Sequence, residues 1–290
     1  MILVAGGTGS LGTRIVLGLR RQGKPVRVLA RPTSNVASLR EAGAEIATGD
    51  LKDPASLARA CQGAHGVITT ASASRTGDDA IENVDGQGTR NLITASAQAG
   101  AGQFVLVSTI GAAVDNPVPV FKAKGEAERQ LRGGPMPFTI LQPNAFMDVW
   151  FGMLIEQAVF SGQPVTLVGE ARRRHSFVAE QDVAAYAIAS IGRPDARNST
   201  IAIGGPQPLT LREVVGIYGS LLGREIAVRS VAPGEPIPGL PPPVWGIVAG
   251  LESFDSPIPM EQLSQTWGIR PTSARDLVES RLADQRVNAP

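Results

Sequence analysis

Short apolar runs alternate with segments of helical periodicity through the first half of the chain. The runs are four to six residues long, the length of strands that are buried on both faces of a parallel sheet. They predict strands at residues 2–5, 25–30, 45–48, 67–72, 104–109 and 138–143, with helices at 13–20, 37–43, from 54, at 90–99 and at 120–131. Because strand and helix alternate in units of about 25 to 30 residues, the pattern predicts a doubly wound parallel α/β sheet with right-handed crossovers.

The alternation breaks down after Asn144. Thr210 and Glu213 fit a capping box, which predicts a helix from Thr210 to about residue 222. Residues 233–243 include six prolines in eleven positions, a composition typical of a stiff, irregular segment. The remaining periodicity predicts a helix that begins near Asp182, a helix at 147–160, and short strands at 165–168, 176–178 and 200–203.

The composition suits a large folded protein without a strong charge bias. The chain has 290 residues, 43% of them hydrophobic, and its 27 basic and 26 acidic residues give a net charge of +1. That balance does not favour binding to nucleic acid or to an anionic membrane, and no apolar stretch reaches the ~18 residues of a spanning helix. Met1 leads directly into the first strand, so we expect no signal peptide.

Cysteine and histidine are scarce in this chain. Cys61 is the only cysteine, and His65 and His175 are the two histidines. Neither an internal disulfide nor a metal site is therefore expected. A reducing cytoplasm is the simplest compartment for such a chain.

Four glycines lie between the first predicted strand and the first predicted helix, and three of them, Gly6, Gly9 and Gly12, are spaced three residues apart. In a dinucleotide-binding turn the first glycine permits a tight turn, the second lets a pyrophosphate approach the backbone, and the third lets helix and strand pack closely. The N–H groups and the positive dipole end of the helix then face the phosphates. This context of strand, glycine turn and helix predicts a dinucleotide site.

The second and third predicted strands end in residues that bear on the choice of cofactor. An NAD-binding fold places Asp or Glu at the tip of the second strand, on the ribose hydroxyls. Here Ala30 is followed by Arg31, whose guanidinium suits a 2′-phosphate and favours NADP(H); a solvated loop arginine is the alternative. Asp50, after the third strand, fits either a place beside the adenine or a cap on the next helix.

Seven segments, in this order and spacing, carry a resemblance to a known family. They are Gly6–Gly12, Gly49–Leu51, Asn83–Gly86, Phe104–Thr109, Lys124 with Glu128, Thr139–Pro143 and Phe177–Ala184. Together they resemble the atypical short-chain dehydrogenase/reductase family, in its NmrA-like branch. That branch includes NADPH-dependent quinone, triphenylmethane-dye and isoflavone-type reductases, and also redox-sensing regulators.

The resemblance implies a Rossmann domain at residues 1–145 and a smaller α+β substrate-capping region at 146–290, interleaved with it around 175–205. It also implies a role for each residue that matches the family pattern. Gly6, Thr8, Gly9, Ser10, Leu11 and Gly12 would hold the diphosphate of NADP(H), Arg31 the 2′-phosphate, Asp50 and Leu51 the adenine, Ala71 and Ser72 the ribose, and Lys124 the nicotinamide ribose, while Pro143 to Phe146 would pass beside the nicotinamide.

The chain departs from the wider family at one catalytic position. Active members carry a tyrosine four residues before the lysine, where it serves as general acid. Here Val120 stands at that place, and neither Tyr186 nor Tyr218 precedes a lysine at this spacing. Hydride addition to a ketone gives an alkoxide, whose conjugate acid has a pKa of about 16, whereas a quinone gives a phenolate, with a pKa of about 10. The missing tyrosine therefore favours a quinone or another electron-poor acceptor, or no catalysis.

Two of the remaining candidates lie near the predicted nicotinamide. Lys124 fits a cofactor contact, but it also fits an i,i+4 pair with Glu128 on an exposed helix, and Lys122 could take its place. Thr109 could polarise a substrate oxygen, or it could only bond the backbone at the end of a strand.

The substrate candidates come from the second half of the chain. His175 follows three arginines, and this basic segment is either a lip near the substrate or a solvated loop. A histidine there could act as an acid, because its pKa lies near neutrality. Phe146 and Trp150 could pack against a flat acceptor or belong to the core.

Three functions follow from these observations. The first is an NADPH-dependent reductase of a small conjugated acceptor, such as a quinone or an enone, with the cofactor supplying the chemistry. The second is a non-catalytic NADP-binding regulator that senses redox state and contacts a protein partner. A sugar-nucleotide epimerase is a lesser alternative, and an oligomer is compatible with all three.

Overall fold

Most of the predicted apolar runs form strands of one sheet. In this computed structural model, which describes residues 1–73 and 78–288, the strands are β1 Ile2–Ala5, β2 Val26–Ala30, β3 Glu45–Thr48, β4 Gly66–Thr69, β5 Gln103–Val107, β6 Phe138–Pro143, β7 Val165–Val168, β8 Ser199–Ile203 and β9 Val228–Val231. Seven of them form a sheet in the order β3-β2-β1-β4-β5-β6-β8, and β1 to β6 pair in parallel. The predicted Rossmann-type sheet is confirmed.

The helices lie between the strands, as the periodicity predicts for the first half. They are α1 Ser10–Arg21, α2 Ala37–Glu41, α3 Pro54–Cys61, α4 Asp78–Ile81, α5 Gln87–Gln98, α6 Pro119–Gly133, α7 Met147–Phe151, α8 Gln157–Phe160, α9 Glu180–Ser190, α10 Leu211–Leu222, α11 Pro242–Leu251, α12 Glu261–Trp267 and α13 Ala274–Asn288. A π-helical turn, Glu82–Gly86, joins α4 to α5, and a second one, Gly152–Glu156, joins α7 to α8.

The chain divides into two units. The first comprises Met1–Pro143 and Val183–Ala202, and the second comprises Asn144–Asp182 and Ile203–Pro290. The core of the first unit includes Leu3, Leu57, Leu92, Phe104 and Ile140, all with at most 1% exposure. In the sheet the strand order reverses between β1 and β4, and ligands of doubly wound folds bind at the carboxyl ends of strands beside such a reversal.

The second unit has its own core and a small sheet. Its parallel strands β7 and β9 pair Val165 with Val228, and the core beneath them includes Phe151, Phe177 and Tyr218. The capping box at Thr210 is present: Thr210 Oγ1 accepts from Glu213 N, and the Glu213 carboxylate accepts from Thr210 N.

Three predictions for the second unit are wrong in part or in full. Residues 176–178 form no strand, because only His175 and Val178 make isolated bridges there. The predicted helix at 147–160 is interrupted by its π-helical turn. The proline-rich segment ends inside α11, where Pro242 and Pro243 occupy the first turn, since a helix does not need the N–H groups that proline lacks there. Within the described residues, no helix is long and apolar enough to span a membrane.

Candidate dinucleotide-binding site

The turn between β1 and α1 is held by its own backbone. Gly6 has a φ of +78°, which favours glycine, and its carbonyl accepts a hydrogen bond of 3.0 Å from Gly9 N. Thr13 Oγ1 donates to the Gly7 carbonyl at 3.1 Å, which ties the first turn of α1 to the loop. Thr8 to Ser10 are exposed at the tip of this turn.

The three spaced glycines, Gly6, Gly9 and Gly12, differ in how strictly the backbone requires them. A Cβ at Gly12 would overlap with the Gly6 carbonyl and lie 2.7 Å from Gly7 Cα, and one at Gly6 would lie 2.7 Å from Ala71 N. Gly9 has φ −80° and ψ 168°, which any residue adopts, and a Cβ there would come no closer than 3.4 Å, to Gly6 O. The fold itself therefore needs Gly6 and Gly12, whereas Gly9 leaves open a space that a side chain would fill.

The N-terminus of α1 is electrostatically suited to an anion. Gly9 is the N-cap residue of α1 and has no side chain to cap the helix. The first turn contains no acidic residue, and Arg20 and Arg21 lie in the last turn. The positive end of the helix dipole at Ser10 is therefore not neutralised from within the helix. With the space at Gly9, this arrangement fits the diphosphate of a dinucleotide.

Arg31 follows β2 at the same edge of the sheet. Its side chain is exposed, and its guanidinium makes no hydrogen bond or ion pair within residues 1–73 and 78–288. Arg27 differs, since it is bound to Glu45 at 2.7 Å and to the carbonyls of Ala60 and Gln62. Arg31 thus has its guanidinium available for an external anion.

Asp50 and Leu51 follow β3. The capping interpretation of Asp50 is wrong: Asp53 caps α3, accepting from Ala55 N at 3.0 Å, because Pro54 begins the helix. The Asp50 carboxylate accepts the N–H of Lys52 at 2.9 Å, a local turn that keeps it half-exposed. Leu51 is buried and packs into the core of the first unit, so its side chain has a structural role.

Short segments after β4, β5 and β6 carry the other predicted contacts. Ala71 is half-buried, Ser72 is exposed and Pro143 is buried at the end of β6, where its carbonyl accepts from Ile110 N at 3.1 Å. Thr109, just beyond β5, donates its hydroxyl hydrogen to the Ile110 carbonyl at 3.2 Å. The backbone interpretation of Thr109 therefore matches its hydrogen bond.

Lys124 is buried and paired with a residue that the sequence reasoning missed. Its Nζ lies 3.1 Å from Asp85 Oδ1, and the two side chains are 6% and 0% exposed. Nζ also donates to the carbonyls of Ala71 and Val107, each at 3.3 Å. The sequence signal for Asp85 is its place in Asn83–Gly86, one of the segments that carry the family resemblance.

The alternative interpretation of Lys124, an i,i+4 pair with Glu128 on an exposed helix, is wrong. Glu128 is 2% exposed and accepts hydrogen bonds from Ser108 Oγ at 2.5 Å and Gln142 Nε2 at 2.9 Å. Its ion pair is with Arg132, at 2.8 Å. Lys124 thus takes its partners from outside α6, whereas Glu128 binds Ser108 and Gln142 near the strand ends and Arg132 of its own helix. Lys122 is exposed, as a solvated lysine would be.

His175 lies inside the second unit. It is 1% exposed, with Nε2 2.9 Å from the Leu251 carbonyl and Nδ1 2.7 Å from Ser256 Oγ. Because a carbonyl only accepts, Nε2 carries the hydrogen and Nδ1 accepts from Ser256. Burial lowers the pKa of His175, against opposing effects from Leu251 and Asp255. These contacts make His175 a core histidine of this unit.

The arginines before His175 are neutralised one by one. Arg172 pairs with Glu170 at 3.0 Å, Arg173 with Asp255 at 3.3 Å and Arg174 with Glu213 at 2.7 Å. They form a solvated, charge-balanced surface.

The aromatic candidates and the tyrosines have structural surroundings. Phe146 and Trp150 are half-buried, and Trp150 packs against the core of the second unit. Tyr186 and Tyr218 are fully buried. Tyr218 donates to Glu156 at 2.7 Å, and burial, together with that carboxylate, raises its pKa far above the range of a general acid.

Comparison with known proteins identifies an NAD(P)H-binding domain in this chain. A family model described as NAD(P)H-binding matches residues 6–194. The NAD(P)H azoreductase of Xenophilus azovorans is 31% identical over 227 residues, covering 78% of this chain and 75% of that protein. The photosystem II assembly factor Ycf39 of Synechocystis is 31% identical over 232 residues, covering 79% and 70%.

A solved structure shows the same fold. The triphenylmethane reductase of a Citrobacter species, crystallised with NADP(H), superposes with a TM-score of 0.81 at 20% identity, covering 97% of this chain and 99% of that one. The predicted resemblance to the NmrA-like branch of the atypical short-chain dehydrogenases/reductases is confirmed, and this chain belongs to the NAD(P)H-binding family.

Proposed function

We propose that this protein is an NADPH-dependent reductase that transfers hydride to a small, flat, conjugated acceptor such as a quinone, an enone or a dye. The single observation that carries the choice of acceptor is that, among the described residues, the two predicted candidates near the nicotinamide, Lys124 and Thr109, already use their polar hydrogens within the protein. Lys124 uses its ammonium on Asp85, Ala71 and Val107, and Thr109 donates to Ile110. The acceptor must therefore give a product that water can protonate.

The cofactor is held by the first unit in this proposal. The space at Gly9 and the N-terminus of α1 take the diphosphate, with Gly6, Thr8, Ser10, Leu11 and Gly12 shaping the turn. Arg31 binds the 2′-phosphate with charge-assisted hydrogen bonds, which selects NADPH over NADH. Asp50 and Leu51 border the adenine, and Ala71 and Ser72 the ribose.

The nicotinamide end is positioned by Lys124 and Pro143. Bound NADPH supplies the hydride, and the protein supplies orientation. Thr109 is given no proton transfer, because its single hydroxyl hydrogen is donated to the Ile110 carbonyl, and it could polarise a substrate oxygen only by giving up that bond. Phe146 and Trp150 remain candidates for contact with a flat acceptor. We do not include His175, since both of its ring nitrogens are occupied in the core of the second unit.

The relatives support this acceptor class by their names. Azo compounds and triphenylmethane dyes are both conjugated and accept electrons readily, and reductases of each kind resemble this chain. A small molecule is thus the partner that the proposal requires, and a reducing cytoplasm is the proposed compartment.

A second function is favoured by a different observation. The relative named as an assembly factor matches this chain as well as the azoreductase does, and Val120 replaces the tyrosine of the active enzymes. A non-catalytic NADP-binding regulator is consistent with both facts.

One experiment separates the candidates. Purified protein is titrated with NADPH and NADH by calorimetry, and NADPH oxidation is then followed with a panel of quinones, enones and azo dyes. Tight NADPH binding with turnover of at least one acceptor supports the reductase. Tight binding without turnover supports the regulator, and NAD retained through purification would support the epimerase alternative.

A further inference from the structure

The π-helical turn Glu82–Gly86 brings one carboxylate into the interior of the first unit. Such turns add a residue to a helix and are frequent at functional sites, because they redirect a side chain that a regular helix would place elsewhere. Here the redirected residue is Asp85, which is fully buried. Glu82, in the same turn, is 62% exposed at its side chain.

Asp85 joins Lys124 to the segment that follows β4. Its Oδ2 accepts a hydrogen bond of 2.7 Å from Ala73 N, and its Oδ1 lies 3.1 Å from Lys124 Nζ. Nζ in turn donates to Ala71 O, two residues earlier in the same segment. Asp85 and Lys124 therefore hold this segment at its two ends, Asp85 through Ala73 N and Lys124 through Ala71 O. Lys124 also donates to Val107 O at the end of β5.

The turn itself is braced against the helix that carries Lys124. Thr89 Oγ1 donates to Val84 O at 3.0 Å, which satisfies a carbonyl within the π-helical turn. Arg90 pairs with Glu82 at 2.8 Å and with Glu126 of α6 at 2.6 Å. The Asp85 carboxylate and the Lys124 ammonium are thus held by a second, outer contact between the same two elements.

We propose that Asp85 is a positioning residue for the cofactor: it holds the Lys124 ammonium and residues 71–73 in the arrangement that receives the nicotinamide ribose. This inference rests on the proposed dinucleotide site, but not on any acceptor. Asp85 acts through Lys124 and through the Ala73 N–H, and has no direct contact with the cofactor in the proposal.

The physical reason is the burial of the charges. An ammonium removed from water needs a counter-charge, and a buried pair that loses one member leaves the other uncompensated. In Asp85→Asn the amide oxygen can still accept the hydrogen bond from Ala73 N, but the negative charge that faces Lys124 is gone. Lys124 would then move or lose its charge, and the segment after β4 would lose its fixed position.

The test compares stability with cofactor affinity across a four-member cycle. The melting temperature and the Kd for NADPH are measured without acceptor for the wild type, Asp85→Asn, Lys124→Met and the double variant. Glu41→Gln is the matched control, since it alters an exposed carboxylate of the first unit that lies outside this network. Wild-type affinity is expected for this control.

We expect Asp85→Asn to lower the melting temperature and to weaken NADPH binding by about tenfold or more. The double variant, a neutral pair, should recover the melting temperature but keep the weak binding of Lys124→Met. A purely structural pair would instead recover both quantities, and that result would overturn the proposal. Wild-type NADPH affinity in Asp85→Asn would also overturn it.

Two features keep the test decisive. If Asp85→Asn does not fold, the double variant alone decides, because a neutral pair has no uncompensated charge. The Kd is measured without an acceptor, so a failed acceptor screen would refute the proposed reductase while leaving this result intact.

Discussion

Gly9 and Gly12 of the β1–α1 turn give a prediction in which the same substitution, to alanine, has different effects on the melting temperature. In Gly9→Ala the new methyl group contacts only Gly6 O, at 3.4 Å, and the backbone needs no change. Alanine is a poorer N-cap than glycine by roughly 1 kcal/mol, but the loss of unfolded-chain entropy stabilises by about 0.4–1 kcal/mol. These terms nearly cancel, so the melting temperature should stay within about 4 °C of the wild type.

Gly12→Ala should instead destabilise the fold. Its methyl group would overlap with Gly6 O and lie 2.7 Å from Gly7 Cα, both backbone atoms that cannot rotate away. Overpacking of this kind costs about 3 kcal/mol at the upper end of its usual range, which lowers the melting temperature by about 6–12 °C.

The readouts are calorimetric. Scanning calorimetry without ligand gives the melting temperatures, and titration gives the NADPH affinity. Gly9→Ala should weaken NADPH binding by about tenfold or more, equivalent to about 1.4 kcal/mol, because the methyl group occupies the space for the diphosphate. If Gly9→Ala binds NADPH as tightly as the wild type, the open space at Gly9 is not a phosphate site.

Three further predictions concern single side chains. Arg31→Ala should weaken NADPH binding by about 10- to 100-fold, the value of one charged hydrogen bond, while NADH binding stays unchanged; equal losses for both would refute the 2′-phosphate contact. Thr109→Val should change kcat by less than about tenfold, because the Thr109 hydroxyl already donates its hydrogen to the Ile110 carbonyl. A larger fall in kcat, measured by steady-state NADPH oxidation, would indicate that Thr109 is a proton donor. His175→Gln should lower the melting temperature above pH 6.5, the ordinary pKa of histidine, and this difference should shrink at lower pH. The buried histidine is neutral, so its stabilisation is fully present above pH 6.5 and is lost as the pH falls towards its lowered pKa; a difference that grows on acidification would contradict this sign.

The strands and helices of the first unit could be predicted well because the patterns that specify them lie in neighbouring residues. Ile2–Ala5 is apolar throughout, as a strand covered on both faces must be. The spaced glycines that follow it are typical of a dinucleotide-binding turn. Pro54 and Asp53 mark the start of α3 with a cap that depends on neighbours in sequence only. Strand ends were less exact, since β4 stops at Thr69 and leaves residues 70–72 as loop at the carboxyl edge.

The site was harder to predict because its contacts are distant in sequence. Lys124 and Glu128 have the spacing of a surface pair, yet both are buried and neither binds the other: Lys124 pairs with Asp85, and Glu128 accepts from Ser108 and pairs with Arg132. Nothing in the sequence around Asp85 shows that a π-helical turn will direct it inward, because that depends on the helix it packs against. His175 followed three arginines, yet its surroundings come from residues 251–256, about 80 positions away.

The return of the chain to the first unit at Val183–Ala202 has a consequence for synthesis. β8 lies beside β6 at the border of the large sheet, and the Thr139 hydroxyl and Phe138 N are bound by Ala196 and Asn198. On the ribosome, β6 therefore emerges roughly 60 residues before its neighbour, and presents an unpaired apolar edge for several seconds. A fragment cut after residue 145 would keep that edge permanently, so we expect it to aggregate rather than to serve as a minimal nucleotide-binding domain.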